Sequence, residues 1–276
     1  PGFICSMTDM VDQLKKENKP ITEKKTRNYL TGNLCRCTGY QPIINAANEI
    51  DLNKVTLQED KYCDILKNPE LQKIKENSTI IENTIFVPRN LDEALELKNN
   101  LPQIRICAGA TDLGVIVNKG RSSYQQILHL QKISELNNIQ IFENKIRVGA
   151  NVTLTDFENF IKKHLPHLKK LLHIFASPQI KNQGTLVGNM VNASPIGDTI
   201  PFLMITDTIV EIASKKGKRS IPIQNFYQGY KKLDLAVTEI VIGLTINLPH
   251  KNDFYRLYKA STRKDLDISS VTFAIL

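Results

Sequence analysis

The sequence predicts a mixed fold of helices and strands, α/β or α+β, in which a helical start gives way to alternating elements and then to hairpins. Three observations predict it. Residues 1–50 carry apolar side chains at helical spacing; IFVP, LDEALELKNN and QIRICAG follow one another as strand, helix and strand; and IQIFENKIRVGANVTL and DTIVEIASKKGKRSIPI alternate apolar with polar residues around short polar turns.

Taken in order, Phe3, Met7, Met10, Val11 and Leu14 recur with the i, i+3/i+4, i+7 rhythm of an amphipathic helix, and Cys5 is placed on its apolar face. Thr22 suits the N-cap of a second helix and Gly32 its stop, because glycine enters the left-handed conformation most easily. Pro42 suits the first turn of a third helix, where its missing N–H costs nothing, continuing through Ile43, Ala46, Ala47 and Ile50. CRCTGY is then the turn between two helices. Residues 51–81 are polar and weakly patterned, and they read as a linker draped over a neighbour. Residues 82–250 hold the alternating elements and both hairpins, with a helical stretch between the hairpins that is broken at Pro166. Residues 251–276 open a further structured stretch whose last residues read as a strand.

Composition excludes several classes. The net charge is +8, yet KKENKPITEKK and SKKGKR are short and interrupted by acids or glycine, so a solvated surface is expected and no nucleic-acid partner. No stretch approaches the roughly 20 apolar residues of a membrane span, so no membrane partner is expected either. PGFICSMTDM has neither a basic n-region nor a cleavage site, and without an initiator methionine the chain is expected to start inside a longer one. Five cysteines without framework spacing point to a reducing compartment and a cytoplasmic location.

Three short stretches carry chemistry. Cys35 and Cys37, separated by Arg36, can present two thiolates to one metal or cluster, with the arginine lowering their pKa. Zinc or a 2Fe-2S cluster needs four ligands, and Cys5, Cys63 and Cys107 read instead as small buried or incidental hydrophobes. AGATDL, from Ala108 to Leu113, follows a strand and opens a helix, so its amides either converge on a phosphate or form an ordinary turn. NQGTLVGNMVNASPIGD, from Asn182 to Asp198, is either a backbone-rich cofactor surface or a long structural loop. His164, His167 and His173 fall together on one helical stretch but lack matching ligands, and read as surface or packing residues.

GNLCRCTGYQPI resembles the second cysteine pair of the helical iron–sulfur domain in the xanthine dehydrogenase and aldehyde oxidase family of molybdenum hydroxylases. The opening PGF is similar to the end of that family's first pair, C-x-x-C-T-P-G-F, so the resemblance implies that two further thiolates lie upstream of Pro1. The two loops are similar to the family's flavin-binding patterns, G-G-x-T-[DE]-L and G-[ST]-[LIV]-G-G-N followed by A-S-P-x-x-D, with Ala108 and Val187 standing where glycine is usual.

The resemblance implies an α+β protein: part of a helical 2Fe-2S domain, then a two-subdomain FAD-binding domain of the molybdopterin dehydrogenase type. FAD would lie between a small parallel sheet and a larger antiparallel one. Cys35 and Cys37 would hold iron. Ala108, Gly109, Ala110, Thr111, Asp112 and Leu113 would wrap the FAD pyrophosphate, and Thr185, Leu186, Val187, Gly188 and Asn189 would contact phosphate and ribitol. Phe175 would lie near the flavin ring, Asp198 and Lys259 would contact the cofactor, and Ile242 would lie near the adenine. No residue is expected to act on the substrate. The implied activity is electron transfer from molybdopterin on a large partner subunit of a hetero-oligomer, through 2Fe-2S clusters to FAD and then NAD. Arg263, Lys264 and Asp265 would gate the flavin or receive NAD. Three alternatives stand beside it: an aldehyde oxidase-like small subunit, a flavin reductase of the cell-wall amino-sugar type, which leaves the cysteine turn unexplained, and a module that has lost redox function.

Overall fold

The helical start is built as its periodicity dictates. In the computed structural model, which describes residues 1–70, 80–81, 85–121, 124–250, 252–263 and 266–276, helix α1 spans Gly2–Lys16, α2 Glu23–Leu30, α3 Gln41–Asn48 and α4 Gln58–Leu66. These lie in the first of two units, Pro1–Ser78; the second is Thr79–Leu276. Met10, Val11 and Leu14 of α1 are buried with Ala47 of α3, and Met7, Ile21, Tyr29 and Ile50 pack around them. The Thr22 hydroxyl accepts from the Lys25 N–H and caps α2, while Gly32 takes φ +95° beyond its end. Thr26, fully buried, donates to Asn48 Oδ1 at 2.8 Å and ties α2 to α3.

Two expectations are corrected here. Cys5 is exposed, because two residues of helix separate it by about 200° from the Met7 line of the apolar stripe. Residues 51–81 are more than a linker: α4 docks on α1, with Asp12 accepting from the Gln58 N–H at 3.1 Å and Lys16 pairing with Glu59 at 2.8 Å. Residues 71–79 of this region, residues 82–84 just after it, and the Cys63 side chain lie outside the described residues.

The second unit has two main sheets. Strands β1 (Ile80–Ile81), β2 (Ile85–Phe86), β3 (Arg105–Cys107) and β4 (Ile127–His129) form one, ordered β1-β2-β4-β3, in which β2, β4 and β3 run parallel. Helix α5 (Leu91–Asn100) and helix α6 (Thr111–Asn118) connect its strands. The other sheet is antiparallel and five-stranded. Its members are β5 (Ile139–Phe142), β6 (Lys145–Gly149), β7 (Ile209–Ser214), β8 (Gly217–Pro222) and β11 (Ile240–Asn247), ordered β5-β6-β11-β7-β8, with β9 (Tyr227–Gly229) and β10 (Lys232–Leu233) forming a hairpin between β8 and β11 in sequence. Between β6 and β7 lie α7 (Leu154–Phe160), α8 (Pro166–Ile174), α9 (Pro178–Lys181), α10 (Leu186–Val191) and α11 (Ile200–Ile205). The chain closes with the antiparallel pair β12 (Arg256–Ala260) and β13 (Val271–Ile275).

In the small sheet β2, β4 and β3 are parallel because helices connect them, while β1 joins β2 antiparallel; the large sheet grows from hairpins at the two polar turns. One apolar core joins them, including Ala94, Leu128, Ile146, Phe157, Phe202 and Leu244. This is the α+β arrangement expected.

Candidate functional site

In the first unit the cysteine turn is exposed. Gly39 and Tyr40 take φ +66° and +69°, which reverses the chain into α3, and the Tyr40 hydroxyl accepts from the Cys35 N–H at 3.0 Å. The Cys37 N–H points at Cys35 Sγ at 3.3 Å, and Thr38 Oγ1 lies 3.6 Å from the same sulfur. These donors, the Thr38 hydroxyl foremost and then the amides of Cys37 and Thr38, lower the Cys35 pKa to about 7. A turn that aims N–H and O–H groups at sulfur favours thiolate, the form that binds metal. Among the described residues no group of three or more His, Cys, Asp or Glu converges on a metal position, so this turn offers two thiolates.

In the second unit a cleft of ≈ 740 Å³ is bordered by three stretches of chain. The first is the turn leading β3 into α6. Ala110 is the N-cap residue in left-handed backbone at φ +59°, which costs a non-glycine residue roughly 1–2 kcal/mol. The second is the start of α10, where Thr185 Oγ1 accepts the Gly188 N–H at 2.9 Å. Gly109 locks the two together. A Cβ there would lie 1.8 Å from the Gln183 carbonyl oxygen, so the two turns pack backbone against backbone. The Leu154 N–H donates to Gly184 O at 2.8 Å and a β-bridge joins Thr153 to Thr185, which fixes the second turn. First-turn amides of a helix have no intrahelical acceptor. In α10 the Leu186 N–H donates to Val152 O and the Gly188 N–H to Thr185 Oγ1, so the amides of Thr111–Leu113 and of Val187 are the donors that border the cleft, an arrangement suited to an anion.

The third stretch runs from β10 into β11, where Leu233, Leu235, Ala236, Val237, Ile240 and Val241 border the cleft. Arg219 on β8 fastens it, donating to Glu239 Oε1 at 2.7 Å and Oε2 at 2.8 Å and to the Asp234 carbonyl at 2.9 Å. The Arg219 hydrogen bond holds the Glu239 carboxyl below the usual carboxylate range, and the Ala236 amide adds to this. Because the folded value lies below the unfolded one of about 4.3, Glu239 stabilises the fold above that pH and loses this contribution as pH falls through the depressed value. Urea midpoints for wild type and Glu239→Gln are therefore expected to differ at neutral pH and to converge in acid; parallel curves down to the acid transition would refute this. Lys98 braces the first stretch from below. It is buried, its Nζ donates to Pro102 O at 2.8 Å and Ile104 O at 3.0 Å, and burial lowers its pKa.

The structure brings together at this cleft Ala108, Gly109, Ala110, Thr111, Asp112, Leu113, Phe175, Thr185, Val187, Gly188 and Asn189. Four sequence candidates are placed elsewhere. Leu186 is 1% exposed in the core, and Ile242 is buried between Ile240 and Gly243 with its carbonyl accepting from Ala150. Asp198 and Lys259 have side chains 4% and 3% exposed and pair with each other at 2.6 Å. Lys259 also donates to Asp267 O at 2.9 Å and Ser269 Oγ at 2.8 Å, and the Ser269 and Thr272 hydroxyls donate to Asp198. A second hollow of ≈ 500 Å³ is bordered by Gly197, Ser269 and Thr272, the neighbours of this pair. Arg263 binds Asp267 at 3.1 Å, while Lys264 and Asp265 lie outside the described residues. His167 meets Arg256 at 3.0 Å, and His164 and His173 are exposed. Sequence reading missed the third stretch, whose signal was the apolar run Leu235, Ala236 and Val237 in the connection between two strands, where Val237 is 61% exposed.

The family described as the FAD binding domain in molybdopterin dehydrogenase matches residues 79–251, and the 2Fe-2S binding domain matches residues 1–48. Xanthine dehydrogenase 1 of Arabidopsis thaliana is 28% identical over 341 residues, covering 98% of this chain but 25% of that protein. The nicotinate dehydrogenase FAD-subunit of Eubacterium barkeri is 33% identical over 193 residues, covering 67% of this chain and 65% of that protein. Among solved structures, quinoline 2-oxidoreductase from Pseudomonas putida 86 aligns with TM-score 0.65 at 25% identity, over 69% of this chain and 67% of that one. A carbon monoxide dehydrogenase from Hydrogenophaga pseudoflava shares the fold with TM-score 0.64 at 19% identity, over 67% and 66% of the two chains. The chain spans about a quarter of the length of the xanthine dehydrogenases it matches.

Proposed function

We propose, on the premise that this chain belongs to the family of FAD-binding domains in molybdopterin dehydrogenase, that it is the iron–sulfur and FAD portion of a xanthine dehydrogenase-like oxidoreductase. Its task is to pass electrons from a molybdopterin centre on a partner chain, by way of 2Fe-2S clusters, to FAD and on to NAD. The observation that carries this is the meeting of two helix starts at one cleft, held at van der Waals contact by Gly109 and the Gln183 backbone.

The residues present fit both groups. Amides at Thr111–Leu113 and Val187 would hold the pyrophosphate, and the half-buried Phe175 offers an aromatic face for a ring system. Leu235 and Val237 supply an apolar wall opposite. Cys35 and Cys37 would supply two of the four thiolates of a 2Fe-2S cluster. The bound groups supply the redox chemistry, taking up electrons singly or in pairs. The chain binds and orients them, and contributes no acid, base or nucleophile to the substrate.

The substrate class belongs to the partner that carries molybdopterin. Relatives named for xanthine and nicotinate support a nitrogen heterocycle. The cofactor-free module is not favoured, because the cleft keeps both helix starts and its apolar wall. Among the described residues no helix is long and apolar enough to cross a membrane, which is compatible with a cytoplasmic enzyme.

Purified without air, the intact protein is expected to carry flavin absorbance that survives Cys35→Ser and Cys37→Ser, and iron that does not. Absence of flavin, together with no uptake of added FAD, would overturn the reading.

A further inference from the structure

We propose that Arg219, which does not itself border the cleft, is the positioning residue that holds the Leu235–Val237 wall in place for FAD. The proposal rests on the FAD reading above.

The wall belongs to the segment Asp234–Glu239, which crosses from β10 to β11 and lies outside both strands. Its backbone anchors are few: the Asp234 N–H donates to Phe226 O at 2.8 Å and the Glu239 N–H to Ala236 O at 3.0 Å. Arg219 lies in β8, registered opposite Ile212 of β7, so its backbone is fixed by the five-stranded sheet. From there one guanidinium reaches both ends of the segment. It forks onto the two oxygens of Glu239, and it donates to the Asp234 carbonyl and, at 3.3 Å, to the Asp234 carboxylate. Glu239 Oε2 also accepts the Ala236 N–H at 2.8 Å, which carries the grip to the middle of the wall.

The fork matters because a planar guanidinium fixes a carboxylate in angle as well as distance. Leu235 is partly buried against the main core, but Val237 is 61% exposed at the cleft, so hydrophobic burial anchors the start of the wall and not its far end, which is left to the Glu239 grip. With the grip removed the segment samples other positions. A cleft competent for only a tenth of the time binds its ligand about tenfold more weakly.

The test compares two arginines of the same sheet in the intact protein, by FAD dissociation constant from flavin fluorescence and by thermal unfolding of the flavin-free form. Arg147, paired with Glu211 at 2.8 Å, is the control, since neither residue borders the cleft. Arg219→Gln is expected to raise the dissociation constant about tenfold, with Arg147→Gln leaving it unchanged. Equal dissociation constants for wild type and Arg219→Gln would overturn the proposal while leaving the FAD reading intact. So would equal weakening by both variants, which would make the effect one of general stability. A wild-type protein that takes up no FAD would remove both. If Arg219→Gln does not fold, Arg219→Lys, which keeps the charge and loses the fork, decides it: a weaker dissociation constant supports the grip and a wild-type one overturns it.

Discussion

Gly109→Ala is expected to abolish flavin retention and to lower stability by about 1–3 kcal/mol, the usual cost of overpacking. The new methyl carbon would stand 1.8 Å from the Gln183 carbonyl oxygen and 2.5 Å from its carbonyl carbon, and both belong to backbone that no rotamer change can move. Relief requires one turn to withdraw from the other, and with it one of the two helix starts that border the cleft. The two losses are separable. Urea unfolding of the flavin-free protein reads the strain, and titration with FAD reads the separation of the helix starts. Unaltered FAD affinity in the folded variant would show that the two turns do not act on one ligand. Alanine at position 108, one residue earlier and in place of a glycine usual in related loops, is accommodated by the same structure.

Lys259→Met is expected to destabilise the protein by about 3–5 kcal/mol even without flavin, because it strands a buried carboxylate. Asp198 and Lys259 are almost wholly enclosed, and among the described residues Lys259 is the one that carries positive charge to the aspartate in the network with Ser269 and Thr272. Methionine keeps the length and apolar stem of lysine, so the loss reports the charge rather than a cavity. Denaturant midpoints of the flavin-free variant and of Asp198→Asn with Lys259→Met measure it, the double variant recovering part of the loss. A single variant as stable as wild type would mean that Asp198 is not confined as described.

Periodicity made most of the fold legible. The α1 stripe, the Thr22 cap and both hairpins follow from patterns short enough to lie within one element. The cleft-lining turns were legible because small residues leave a local trace. Cys5 lies beside the apolar stripe without belonging to it, a distinction that nearness in sequence does not make, and α4 leaves little local trace because QEDKYCDIL gains its docking from Asp12 and Lys16 of α1. Asp198 and Lys259 lie 61 residues apart, and Arg219 reaches 15 and 20 residues along the chain, past β9 and β10, to Asp234 and Glu239, so neither partnership leaves a trace within a single element.

The strand order β5-β6-β11-β7-β8 sets a timetable for biosynthesis. Each hairpin can form as soon as it leaves the ribosome, but the central strand is translated last, so β6 and β7 must wait with unpaired inner edges. Such edges invite pairing with another nascent chain. The last-made strand of this sheet brings Ile240 and Val241 to the cleft, so the cleft wall is complete only once the sheet has zipped shut.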